Sequence, residues 1–524
     1  MFVIFCFFIF FGFLYVFGLV FGVLGLSLMD WGFVGLKFLF GEVSFYFSFV
    51  LLLVGMGVIL FVSYYMGWDY NLSYFMVVFL VFFFSMFFLM LSGSILVYVL
   101  GWDILGISSF FLVFYYGNWD SNVGAVNTVL AGRVGDFLVY IFFAGFFFSG
   151  LSVFFFVFLV SLGSFYLALA ASTKSALFPF SSWLPKAMSA PTPVSALVHS
   201  STLVMAGLVL LLGFVDLWFL KGLELYFFIF GLLTMVFSSF CALVECDMKK
   251  VVALSTMSQI GFCVMILGMG MYFICLLHLV SHALFKSCLF MQVGIFIHSS
   301  FSQQDSRGYL GLGGNLFFVQ LQMVVTLFCL CGLLFTSGAV TKDVVLEFFF
   351  FGGWFWVVGL LFFVGVFLTF VYSYRLFLSL FRVFNCSLVF LHGSVMMWFF
   401  SCLLVFFSVV GLWWLMLNMA VVPVVYLYFD FFVPLVFLCL FFVVLGGSFV
   451  FFSIELKYKF LTDLVAKHSS FMLLLLKFFD VVVGFFVGVF LGLLKFFGVV
   501  NVFFFKNFGV NVVVVIFFFL LFVL

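Results

Sequence analysis

The chain has 524 residues, 69% of them hydrophobic and 7% charged, with a mean hydropathy of +1.51. That composition excludes a water-soluble domain, and a formal net charge of +1 excludes the basic surface that nucleic-acid binding needs. The apolar runs are apolar on both phases, which excludes a transmembrane barrel and predicts an all-α polytopic membrane protein with about fifteen transmembrane helices of about 20 residues each.

In chain order, residues 2–26 are predicted to make the first span. Residues 27–44, with Asp30, Trp31, Lys37 and Glu42, read as an interfacial loop within an N-terminal block, 1–73, of transmembrane helices. Spans follow near 45–66, 74–92 and 95–116. Asn118–Val123 reads as a polar connection, and Arg133-Val-Gly-Asp136 as the opening of the next helix. Lys174 lies on the helix after that, which breaks at Pro179; a helix near 194–214 ends a second block, 74–214. A third block, 215–380, holds helices near 225–244, 252–271 and 273–298, then a polar loop from His298 to Asn315. Its next span, near 316–335, is interrupted at Thr336-Ser337-Gly338 and resumes with Lys342, before a last span near 354–380.

Spans near 395–416 and 434–454 make a fourth block, 381–455. Six of the fourteen lysines then fall after residue 455, and Lys459, Asp463 and Lys467 share one helix face. Residues 456–508 are expected to form a lateral amphipathic helix, of which 464–508 alone would run roughly 68 Å, its charges kept wet at an interface. An ordinary span at 481–505 is the competing reading. Residues 509–524 read as a terminal transmembrane anchor.

Phe is unusually common, at 99 residues, while Pro and His number six each. The favoured residues are those of T- and G-rich codons, a bias typical of a small organellar genome. The N-terminus, Met1-Phe-Val-Ile-Phe-Cys, lacks the basic segment of a secretory signal and the Arg-rich character of a transit peptide. Synthesis inside a mitochondrion would explain both. The eleven cysteines show no metal-ligand spacing and read as buried thiols.

The chemistry concentrates in few residues. Four of the six prolines lie between Lys174 and His199 (Pro179, Pro185, Pro191, Pro193). Charge and freed backbone groups at membrane depth are tolerated only inside protein or beside water, so this stretch points to a polar pathway for an ion. Asp103, between two apolar runs, is a candidate partner for Lys174; the alternative is an interfacial acid in a loop. Burial penalises a lysine's charged form and a carboxylate favours it, so making and breaking that pair could load and release a proton. For Lys174 the alternative is a side chain snorkelling from a helix end. His278, His282 and Lys286 recur every four residues, each step about 40° around the axis and about 6 Å along it, a polar stripe suited to proton relay. Structural histidines are the alternative, and a metal site lacks further ligands nearby. Lys342 and Asp343 follow the Thr-Ser-Gly interruption, with Glu347 beyond. Thr-Lys on a broken helix occurs here and at Lys174, as in inverted-repeat transporters; an interfacial charge cluster competes. Lys249 and Lys250, at a span boundary, read as topology determinants, with Ser255, Thr256, Ser258 and Gln259 as water-friendly groups on the next helix. Arg375 and Arg382 read as structural residues flanking a helix end.

Taken in order, Gly-Trp-Asp103, Arg-x-Gly-Asp136, Lys174-Ser-Ala through Trp183-Leu-Pro, Ala190-Pro-Thr-Pro-Val-Ser-Ala-Leu-Val-His-Ser-Ser-Thr202, Asp247-x-Lys-Lys, Ser255-Thr-x-Ser-Gln-x-Gly261, His278-x3-His-Ala-Leu-Phe-Lys286 and Thr341-Lys-Asp343 resemble the motifs of the antiporter-like subunits of respiratory complex I, over about residues 95–385. The resemblance implies two inverted five-helix repeats, with half-channels in 74–214 and 215–380, a central line of buried charge, and a lateral helix bracing neighbouring subunits. It implies that Asp103 and Lys174 form the family's carboxylate–lysine pair, with Asp136 beside them. His199 becomes the connecting histidine, Lys286 the central lysine with His278 and His282, and Lys342, with Asp343, the lysine toward the exit. Three departures stand out. Asp103 replaces the usual Glu, one methylene shorter; the N-terminus shows one helix fewer; and the segment after 455 is short for a full lateral helix.

The function so implied is proton translocation across the mitochondrial inner membrane by a subunit of NADH:ubiquinone oxidoreductase. The chain has no dinucleotide fingerprint, flavin motif or iron–sulfur cysteine set. NADH, FMN, iron–sulfur clusters and ubiquinone are therefore expected in partner subunits, and the expected partners are other membrane subunits, lipid and the proton itself. Two other readings are a stand-alone cation/proton antiporter and a scaffold whose charges only stabilise packing.

Overall fold

The computed structural model describes residues 24–29, 36–40, 42–67, 69–148, 153–214, 223–309, 317–333, 336–351, 356–381 and 401–409. All belong to the first of two compact units, Met1–Asp463; the second is Leu464–Leu524. The expected span at 434–454, the lateral helix and the terminal anchor lie outside the described residues, as does the expected span at 2–26 except for 24–26, which are strand and not helix.

Apolar backbone in a membrane must satisfy its own polar groups, which leaves helices as the element of choice. Among the described residues nine helices are long and apolar enough to cross a membrane. The first described elements are nevertheless strands: β1 (Leu24–Met29) pairs antiparallel with β2 (Leu36–Phe40), with a register shift between Ser27 and Met29. This corrects the interfacial loop expected over 27–44. The reason is local pairing: β1 takes one edge of β2, and on its other side Gly93 N–H donates to Lys37 O at 2.9 Å.

Helices α1 (Glu42–Tyr65), α2 (Leu72–Met90), α3 (Ile95–Phe114), α4 (Trp119–Phe148) and α5 (Val153–Lys174) follow. Asp103 sits inside α3, within the span expected near 95–116, and not in the loop of the alternative reading. One expectation changes here. Arg133–Asp136 lies in the middle of α4 instead of opening a helix, because Arg133 and Asp136 pair with each other one turn apart and the helix needs no break to accommodate them. At about 1.5 Å per residue the 30 residues of α4 measure roughly 45 Å, so its polar start at Trp119-Asp-Ser-Asn can extend past the hydrocarbon.

After α5 comes an irregular stretch holding the short helix α6 (Trp183–Lys186) and a 3₁₀ turn, Ala187–Ser189. Helix α7 (Thr192–Gly213) has a π-helical stretch, Ser195–Thr202, in its N-terminal half. Then come α8 (Glu224–Val244), α9 (Met248–Gly268) and α10 (Tyr272–Ser299). Helices α11 (Phe317–Cys331) and α12 (Ser337–Phe351) form one interrupted segment, followed by α13 (Trp356–Phe381) and α14 (401–409).

Consecutive helices α2 to α5 pack on one another, α8 packs on α9 and α13, and α10 touches α1, α7, α9, α11 and α12. Helix α10 is therefore the hub. Within their apolar windows α7 and α9 are 94% buried and α10 is 89%, against 28% for α4. The helices that carry His199, His278, His282 and Lys286 are thus screened from lipid by their neighbours. At Gly231 and Gly261 the backbones of α8 and α9 approach so closely that a Cβ on Gly261 would lie 2.7 Å from Met235 N, the small-residue packing that membrane helices use.

Candidate functional site

Helix α5 ends at Lys174 because Ala176 adopts a left-handed conformation (φ 54°) and Leu177 N–H donates to Ser172 O at 3.0 Å. This is a Schellman-type stop built on alanine, at a cost of about 1–2 kcal/mol for the left-handed residue. Trp183 Nε1 donates to the freed Thr173 carbonyl at 2.9 Å and secures the helix end.

Lys174 is 3% exposed. Its Nζ donates to Trp102 O at 2.9 Å and lies 3.5 Å from the centroid of the Trp102 ring, a cation–π contact. Trp102 Nε1 in turn donates to Asp136 Oδ1 at 2.8 Å, and Arg133 Nη1 donates to Asp136 Oδ2 at 3.2 Å. Arg133 Nη1 also lies 3.8 Å from Asp103 Oδ1, while Tyr140 Oη donates to Asp103 Oδ2. The order of contact is Lys174, Trp102, Asp136, Arg133, Asp103, Tyr140. Among the described residues no ion pair within 4 Å joins Asp103 to Lys174, in contrast to the expected pairing. The two neighbours on α3 point about 100° apart, so Trp102 turns toward Lys174 while Asp103 turns onto α4.

His199 lies in the π stretch of α7, fully buried, with its ring 6.0 Å from that of Trp183. Its neighbours Ser200, Ser201 and Thr202 turn their hydroxyls back onto the carbonyls of Ala196 and Leu197, and such π segments recur at functional sites. Neither His199 ring nitrogen has a hydrogen-bond partner among the described residues. The π stretch packs on α10 and the rest of α7 on α5, so α7 bridges the Lys174 cluster and the central one.

In the centre, His278, His282 and Lys286 share one face of α10 as the spacing required, all at 0% exposure. His278 Nδ1 lies 2.9 Å from Thr341 Oγ1 and its Nε2 lies 3.3 Å from Gln259 Oε1. Gln259 Nε2 continues to Tyr372 Oη at 3.4 Å, which is 3.3 Å from Ser258 Oγ. Four helices, α9, α10, α12 and α13, thus meet through side-chain hydrogen bonds. Lys286 Nζ donates to Ser255 Oγ at 2.5 Å. The His282 nitrogens have no hydrogen-bond partner among the described residues.

Lys342 Nζ donates to Leu330 O at 2.5 Å and to Cys331 O at 3.3 Å, the carbonyls freed where α11 stops. Gly332 makes that stop with φ +76°, and a Cβ there would come within 2.9 Å of Lys342 Cδ, so glycine serves both the turn and the lysine. Helix α12 resumes at Ser337, five residues before Lys342, because the Thr336 hydroxyl and backbone return to Leu333 O and close the turn there. The contexts of Lys174 and Lys342 therefore differ: one ends a helix, the other lies in the second turn of one.

Three polar roles were missed in the sequence. Trp102 and Tyr372 are aromatic residues among many, and only their buried donor groups mark them. Lys249, expected as a topology determinant, is 3% exposed and donates to Ala190 O at 3.2 Å, holding the irregular stretch before α7; its neighbour Lys250 pairs with Asp247 at 2.5 Å. Arg375 does hold a helix end, donating to the carbonyls of Ala242, Leu243 and Glu245 at the C-terminus of α8, though it lies within α13. Arg382 and the side chain of Glu347 lie outside the described residues.

Residues 92–369 match the family described as NADH:quinone oxidoreductase/Mrp antiporter, TM. The chain is 52% identical over 461 residues to NADH-ubiquinone oxidoreductase chain 5 of Caenorhabditis elegans, covering 87% of each chain. It is 49% identical to the protein of the same name from Ascaris suum, covering 87% of this chain and 83% of that one. In fold it is similar to a chain of the Mrp complex from Dietzia (TM-score 0.69, 23% identity, covering 89% of this chain and 54% of that one). It is also similar to a chain of an archaeal membrane-bound sulfane sulfur reductase (TM-score 0.65, 20% identity, covering 76% and 85%).

Proposed function

The chain belongs to the NADH:quinone oxidoreductase/Mrp antiporter membrane family, alongside the NADH-ubiquinone oxidoreductase chain 5 proteins, and on that premise we propose that it is a proton-translocating membrane subunit of NADH:ubiquinone oxidoreductase. It works in the mitochondrial inner membrane, next to other antiporter-like subunits. NADH, FMN, iron–sulfur clusters and ubiquinone are bound by partner subunits, and this chain moves protons.

One observation carries the reading. Lys174, Lys286 and Lys342 are each at most 3% exposed, and each donates to a neutral oxygen, Trp102 O, Ser255 Oγ or Leu330 O. None is in an ion pair within 4 Å among the described residues. A carboxylate would lock the cation in place. A carbonyl or hydroxyl accepts from an amine as well as from an ammonium, so the contact survives either protonation state. A stability role would call for paired charge; these lysines are arranged to change charge.

In operation, redox work in the partners alters the field at Asp103, Arg133 and Asp136. Trp102 transmits that change to Lys174 by touching both Asp136 and the ammonium. The proton leaves by way of His199 toward Lys286, and Lys342, with Asp343 beside it, passes one onward. The two half-channels are the inverted repeats within 74–214 and 215–380. Native gel electrophoresis of solubilised membranes tests the assignment: the chain should co-migrate with NADH-oxidising activity. Migration apart from that activity, with cation/proton exchange by the isolated chain, would replace this reading with that of a stand-alone antiporter.

A further inference from the structure

A second buried polar line leaves the site in a direction that the motifs do not mark. On α11, Gln322 and Thr326 are spaced i, i+4, and Leu330, whose carbonyl accepts from Lys342, is the next member of the same row. Thr326 is 0% exposed, and its single hydroxyl proton has two acceptors at 2.9 Å, Gln292 Oε1 of α10 and Met323 O of its own helix. Gln322 is 5% exposed, and its Nε2 donates to Ser401 Oγ at 3.0 Å and to Cys402 Sγ at 3.2 Å on α14. Cys329 Sγ lies 3.9 Å from Ser408 Oγ. Both α11–α14 contacts step by seven residues, so these helices run parallel and Gln322 is held in register.

The amides are half-used. Gln292 Nε2 and Gln322 Oε1 are buried and have no hydrogen-bond partner among the described residues. Turning either amide over exchanges which atom is left but still leaves one. An unmet buried polar group costs about 1–3 kcal/mol, and two glutamines in one membrane core are an expensive choice if their only task is to join helices. Successive members of the row rise about 6 Å along the helix, the span of one water molecule bridging two hydrogen bonds of about 2.8 Å.

We infer that Gln292, Thr326 and Gln322 line a hydrated proton-conducting arm that runs along α11 from the helix break at Lys342 to Ser401. The inference rests on the proton-translocating function proposed above. Thr326 is the positioning residue at its midpoint. Its hydroxyl gives its proton to Gln292 or to Met323 O and keeps its lone pairs to accept from a water on either side. The arm gives Lys342 a route past its own helix without using the His278 stripe.

The test compares assembled complexes in sealed vesicles, with a pH-sensitive dye reporting proton uptake driven by NADH oxidation and a native gel reporting assembly. Thr326→Val keeps the shape and removes the hydroxyl. Proton uptake should fall roughly threefold to tenfold, the rate equivalent of one hydrogen bond lost from a conducting chain. Thr326→Ser should restore it. Gln322→Leu should fall likewise where it assembles; the isosteric Thr326 pair carries the test where it does not. Wild-type uptake by Thr326→Val, or equal loss in Thr326→Val and Thr326→Ser, overturns the arm. Lys342→Met separates the two claims. Impaired uptake there with normal Thr326→Val refutes the arm alone, and normal uptake by Lys342→Met refutes the proposed function and the arm with it.

Discussion

Lys286→Met is the perturbation that best separates proton transfer from packing. The side chain is fully buried, and among the described residues its ammonium has one hydrogen bond, to Ser255 Oγ. Methionine fills nearly the same volume, so no cavity opens. The substitution loses one charge-assisted hydrogen bond, about 1.5–3 kcal/mol. It does not orphan Ser255, whose hydroxyl also donates to Val252 O at 2.7 Å. Against this loss stands the desolvation of an unpaired buried charge, several kcal/mol in real proteins. The folded complex should therefore be as stable with methionine as with lysine, or more so. Proton uptake per NADH oxidised should nevertheless fall by the share that this chain carries. Both quantities can be read from one preparation: the temperature at which the native-gel band is lost, and dye quenching in vesicles. A complex that melts several degrees lower while its proton yield is unchanged would refute the reasoning and favour a scaffold whose charges serve packing.

Two further predictions follow from the same contacts. Asp136→Asn should depress proton uptake more than Asp103→Asn, because Asp136 holds Trp102 against Lys174 whereas Asp103 is engaged by Tyr140 and Arg133; vesicle assays on both variants check the order, and a larger effect at Asp103 would restore the direct carboxylate–lysine pair. Arg375→Ala should act in the opposite sense to Lys286→Met. It strips charge-assisted donors from three carbonyls at the end of α8 and should cost about 3 kcal/mol or more, seen as a lower melting temperature or loss of the assembled band, with proton yield per NADH unchanged in the complexes that survive.

Much of the fold was legible because a membrane makes composition speak loudly. An apolar run of sufficient length has one economical conformation there, and α2, α8 and α10 fall within a few residues of their expected limits. Prolines and the Thr-Ser-Gly sequence flagged both interruptions to within a few residues, though α5 stops on Ala176 before Pro179 and α11 on Gly332 before Thr336. Polar segments were harder. A strand pair and a loop look alike where few residues alternate, so β1 and β2 were missed. Arg133 and Asp136 suggested a boundary because two charges read as polar; inside α4 they pair with each other, and the group that satisfies the second Asp136 oxygen, Trp102 of α3, is distant in sequence.

The candidate site divides the same way. Spacing alone put His278, His282 and Lys286 on one face of a helix, since helical geometry is local and repeats with fixed angle and rise. The choice of partners is not local. Whether Lys174 meets Asp103 or Trp102 depends on which of two adjacent side chains of α3 faces α5. Whether Gln259 and Tyr372 belong to the His278 network depends on how α9 and α13 close around α10. Local chemistry identified which residues were too costly to bury without purpose; only the packing of helices distant in sequence decided which oxygen each buried lysine found.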